Sequence, residues 1–90
     1  MIEKLQIYKD MEDLQQLINE KQSLILTHKA YLKATDYKII KKYEGYEIEE
    51  NVMQQREVAR NAINQLDIEI REIEAEIIEL SALEEQEEVL

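Results

Sequence analysis

The run from Ile63 to Leu80 limits the fold more than any other part of the chain. In it Ile63, Leu66, Ile70, Ile73, Ile77 and Leu80 recur at alternating steps of three and four residues. A ladder of that kind repeats every 3.5 residues on average and sets its members on one narrow stripe of an α-helix. A β-strand, with its period of two, would scatter them over both faces. The stripe has to be covered by another helix, so these six residues are the expected self-association seam.

The first third of the chain carries a second ladder, made of Ile7, Met11, Leu14, Ile18, Ile25 and Leu32, with Lys21 and His28 as polar rungs. Leu17, Leu24 and Tyr31 lie beside it, one heptad apart. They broaden the stripe, as suits a bundle helix with more than one neighbour. The spacing predicts a helix over about residues 2–34. Thr35 then fits an N-cap, Asp36 a first turn, and Lys41 and Lys42 a last turn, which predicts a short helix over about 36–44, either kinked from the first helix or continuous with it, since Ile39 and Tyr43 roughly prolong the earlier face.

Gly45 is the chain's one glycine, and there is no proline. It fits the left-handed position that ends a helix, with Tyr46 placed to cover Ile40. Glu47, Glu49 and Glu50 open a last helix over about 47–85, which passes through Val52, Ala59 and Ala62 to the ladder. The acidic run Glu84-Glu85-Gln86-Glu87-Glu88 stands at the wrong end of the helix dipole, so 84–90 is expected to fray. The reading is a single domain, 1–90, of the all-α class. It is an antiparallel helical hairpin of two long helices, with a short helix at the elbow. A lone hairpin of this size buries little, so it is expected to self-associate, as a homodimer, into a coiled coil or four-helix bundle.

Little in the chain supplies catalytic chemistry. His28 is the single histidine and there is no cysteine. Zinc and di-iron sites therefore lack a ligand set, and His28 reads as a polar rung that restricts register. No glycine-rich phosphate loop is present, and Ser23 and Ser81 stand apart from any general base. No catalytic residue, cofactor or metal is expected. No apolar run reaches membrane-spanning length, and the opening Met1-Ile2-Glu3-Lys4 is not a secretory signal. No membrane association is expected, and the product is read as cytoplasmic, in a host cell or with a virion.

Charge points to protein partners. The formal net charge of −10 argues against direct nucleic-acid binding through phosphates. Segment 27–43 is basic between acidic flanks. There Lys33, Lys38, Lys41 and Lys42 interleave with Tyr37 and Tyr43. Such a set can grip an acidic partner surface or stacked bases, or else the tyrosines merely plug the open end of a bundle. Glu69, Glu72, Glu76 and Glu79 line one side of the last helix. They form either a solvated face or a rail of carboxylates that imitates nucleic-acid phosphates.

The stretch Tyr31-Leu32-Lys33-Ala34-Thr35-Asp36-Tyr37-Lys38-Ile39-Ile40-Lys41, then Glu44-Gly45, then Arg56-x-x-Ala59-Arg60-x-x-Ile63-x-x-Leu66, resembles small helical proteins of tailed bacteriophages and prophages. Those proteins are often encoded near tail genes. Their pattern is roughly Leu-x-x-Thr-Asp-aromatic-x-x-Ile-Lys, an acidic turn, and Arg-x-x-x-Arg-x-x-Ile-x-x-Leu. The resemblance covers about residues 31–66. It implies a non-enzymatic phage protein that acts by protein–protein binding, with tail morphogenesis as its setting, and a pairing of Asp36 with Arg60. The alternative is an acidic counter-defence inhibitor of the anti-CRISPR or anti-restriction type, blocking a nucleic-acid-binding enzyme.

Overall fold

The computed structural model describes residues 2–89, with side chains placed from 4 to 86. Two helices, α1 (Ile2–Tyr43) and α2 (Glu50–Val89), fold back on each other as an antiparallel hairpin, and there is no strand among the described residues. The rod measures 69 × 15 × 14 Å. One helix of 42 residues accounts for that length, at about 1.5 Å per residue.

The ladders become the seam. Ile18, Ile25 and Ile70 form the buried centre, with Ile63, Leu66, Ile73 and Ile77 packed against them. Val52 and Ala59 extend burial toward the elbow. Five of the six residues expected to hold a second copy, Ile63, Leu66, Ile70, Ile73 and Ile77, thus pack in the core shared with α1 of the same chain. Leu17 and Leu24 are left in solvent, because a single neighbouring helix covers only one stripe.

The short elbow helix does not exist as a separate element, and α1 runs without interruption to Tyr43. Thr35 is not an N-cap. Its hydroxyl donates backwards to the carbonyl oxygens of Tyr31 (2.8 Å) and Leu32 (3.3 Å), a bond made inside a continuous helix. The ladder also continues through Leu32, Thr35 and Ile39, all of them at least half-buried. Packing along the seam therefore outweighs the local capping pattern.

Helix α1 ends as the sequence anticipates in its hydrogen bonds. Gly45 has φ +98°, the Gly45 N–H donates to Lys42 O (3.0 Å), and the Tyr46 N–H donates to Lys41 O (3.0 Å). This pair of bonds is the Schellman ending, which requires the left-handed residue that glycine supplies without strain. Tyr46 and Ile40 are both exposed, so any apolar cover at this ending shields little surface. Helix α2 begins at Glu50, three residues later than expected, because 46–49 are spent crossing from one helix axis to the other. Its helical backbone includes the acidic run and continues to Val89, while Leu90 lies outside the described residues.

Candidate partner-binding surfaces

A tightly held polar group stands just below the elbow. Arg56 occupies the α2 rung seven residues before Ile63, and its side chain is 12% exposed. Its Nη1 donates to Leu32 O (2.7 Å) and Thr35 Oγ1 (2.6 Å), and its Nη2 to Asp36 Oδ1 (2.9 Å). Asp36 therefore pairs with Arg56 and not with Arg60, which is exposed. Four residues is about one helical turn, so Arg60 lies a turn farther from Asp36 along the rod. The clamp was not anticipated, although extending both ladders by one heptad lands on Thr35 and Arg56.

Beyond the clamp stand the lysines and tyrosines. Lys38 Nζ lies 2.8 Å from Glu49 Oε2, joining the last turns of α1 to the residue before α2. The hydrogen bond holds the Glu49 carboxyl below its ordinary range and lifts the Lys38 ammonium above its own. Lys41 stands over the Tyr37 ring at 6.0 Å, the outer limit of a cation–π contact. Lys33, Lys41 and Lys42 are exposed. So are Tyr37, Ile40, Tyr46 and, at 88%, Tyr43.

The elbow is less basic than the linear segment. Residues 33–50 carry four lysines against five acids, because the turn and the start of α2 contribute Glu44, Glu47, Glu49 and Glu50, and Glu49 is paired with Lys38. What distinguishes the tip is exposed aromatic and apolar surface, the kind of surface that dominates binding energies at interfaces.

The acidic face is partly committed to structure. Glu69 Oε1 accepts from Lys21 Nζ at 2.6 Å, across the seam. Glu72, Glu76 and Glu79 are exposed. Four carboxylates over ten residues of helix are spaced about 5 Å apart, more sparsely than the ~3.4 Å per phosphate of one DNA strand. With one of them neutralised, the rail imitates a phosphate backbone only in part.

The Lys21 hydrogen bond, with help from Gln65, lowers the Glu69 pKa. A carboxyl depressed in the folded state stabilises above its unfolded value, and that contribution disappears as pH falls through the folded value. The stability gap between the native chain and Glu69→Gln is therefore expected to be constant at neutral pH. It should close below the ordinary carboxylate range, as read by thermal melts at pH 7 and pH 3. A gap that widens in acid would contradict the pairing.

No group of three or more acidic or histidine side chains converges as a metal site among the described residues. His28 is half-buried on the seam, as its rung position requires. No helix among the described residues is long and apolar enough to cross a membrane. Compared with known protein families, curated proteins and solved structures, the chain matches none.

Proposed function

We propose that this hairpin is a non-enzymatic phage or prophage protein that works by binding another protein, in tail morphogenesis, and that it does so as a homodimer. It acts in the host cytoplasm or on the virion. The observation that carries the reading is the tip, where Tyr37, Ile40, Tyr43 and Tyr46 stand exposed on a backbone fixed by the Schellman turn and the Arg56 clamp. Rigid aromatics lose little entropy on binding, and such residues tend to be the anchors of an interface. Lys41 and Lys42 rim this surface; Lys38 is held by Glu49.

The test is capture from host lysate with tagged protein, comparing the native chain with Tyr37→Ala/Tyr43→Ala. Recovery of tail components by the native chain and a loss of about tenfold or more in the variant is expected, since each aromatic anchor contributes on the order of 1–2 kcal/mol. Undiminished capture by a fully helical variant would remove the tip from the interface.

The exposure of Glu72, Glu76 and Glu79 in one row favours a second reading, the counter-defence inhibitor. In that case the same capture recovers a nuclease or its effector complex, and reversing those three residues to lysine abolishes it.

A further inference from the structure

We infer that the flank of α1 bearing Leu17, Leu24 and Tyr31 seats the same flank of a second copy, with the two rods antiparallel and Leu24 near the two-fold axis. The inference rests on the self-pairing proposed above and replaces the Ile63–Leu80 seam as its interface.

Three observations carry it. The first is area. The hairpin exposes 7104 Å², whereas a monomer of 10.8 kDa that folds compactly exposes about 5500 Å². The excess, on the order of 1500 Å², exceeds the ~800 Å² that each partner buries in an interface of standard size.

The second is position. Leu17, Leu24 and Tyr31 recur at seven-residue spacing on one side of the seam, and Leu17 and Leu24 are exposed. Leu24 lies near the midpoint of α1. A two-fold axis there overlaps the rods along nearly their whole length and brings Leu17 against Tyr31 of the partner subunit. The remaining exposed leucine nearby, Leu26, is two residues on, roughly 200° around the helix, and so faces the other way.

The third is charge. The half of the rod made of 1–26 and 67–90 carries four basic residues against fifteen acidic, a net −11. The elbow half, 27–66, carries seven against six, a net +1. Parallel rods would stack the acidic halves on each other, whereas antiparallel rods lay each acidic half along a nearly neutral one that includes Lys29, Lys33 and Lys38. Repulsion between like charges selects the antiparallel arrangement.

Sedimentation of the full chain from nanomolar to 100 µM tests this, comparing native protein, Leu24→Glu and Leu26→Glu. The native chain is expected to dimerise. Leu24→Glu should weaken the dimer by about 100-fold or more, because it sets a carboxylate against its own copy in a desolvated contact, while Leu26→Glu changes it by less than about twofold. If loss of the dimer also unfolds the chain, cysteine variants decide the matter, since the sequence has none of its own. Leu24→Cys should cross-link into a covalent dimer with a short bismaleimide, and Leu26→Cys should not. A native monomer at every concentration would overturn the self-pairing and this inference together. A native dimer that survives Leu24→Glu, or that cross-links equally from both positions, would overturn the assignment of the face alone.

Discussion

Ile70→Ala is expected to cost the hairpin about 2–3 kcal/mol, the lower part of the range for truncating a buried isoleucine. Ile70 is 7% exposed and packs with Ile18 and Ile25 under a shell of four half-buried neighbours. Removing three of its carbons leaves a void in the buried centre of the seam. The range is low because a seam between two helices is open on both flanks, so neighbouring side chains can close part of the gap. Even so, 2–3 kcal/mol is a large share of the stability of a ninety-residue chain. It should lower the melting temperature by roughly 10–20 °C, at about 4–8 °C per kcal/mol for a domain of this size.

Ile68→Ala, two residues earlier, should change stability by no more than about 0.5 kcal/mol, since Ile68 is 47% exposed. Urea melts followed by circular dichroism measure both. Equal losses at 68 and 70 would mean that α2 presents a different face to α1.

The contrast between Ile68 and Ile70 also marks what the sequence makes legible. The three-four spacing separates those two isoleucines without any structure, and likewise Ile77 from Ile78. It does not say whose helix covers the stripe. A heptad seam looks the same whether its partner is the same chain or another copy, and only the length of chain on each side of Gly45 distinguishes them. The elbow was harder to read because its chemistry is degenerate. A threonine followed by an aspartate suits a helix start, but a threonine hydroxyl also bonds back to its own helix, and Thr35 does the latter. Long-range packing decided between them.

Register explains the mistaken partner of Asp36. Arg56 and Arg60 are equally good cations, and neither helix alone specifies which one lies level with Thr35. The turn at Gly45 fixes that, by setting Lys21 opposite Glu69 and Thr35 opposite Arg56. Charge along the chain also needs the turn to be read in space. The basic segment 27–43 is contiguous in sequence, but four glutamates follow it between 44 and 50, and one of them, Glu49, pairs with Lys38. Exposure of the tyrosines at the tip was legible only as a choice between two readings, because whether an aromatic plugs a bundle depends on neighbours the sequence does not supply.

The Arg56 clamp gives the second large effect, and its size depends on the replacement. Arg56→Ala is expected to cost about 2–3 kcal/mol, from the loss of charge-assisted hydrogen bonds and of the aliphatic stem that fills the rung. Arg56→Leu should stay within about 1 kcal/mol of the native chain. Two features of the site allow this. Asp36 is largely exposed, its side chain at 60%, so water receives the released carboxylate. Thr35 keeps its own bond to Tyr31 O. No buried charge is orphaned, and a leucine on the rung beside Val52 and Ala59 recovers apolar burial, as often happens when a buried ionic group is exchanged for a hydrocarbon of similar size. Asp36→Asn, at an exposed pair, should cost less than about 1 kcal/mol. Urea denaturation of the three variants ranks them. If Asp36→Asn proved as damaging as Arg56→Ala, the clamp would owe its strength to the ion pair and not to the bonds with Leu32 and Thr35. If Arg56→Leu proved as damaging as Arg56→Ala, the guanidinium itself would be what holds the elbow half of the seam together.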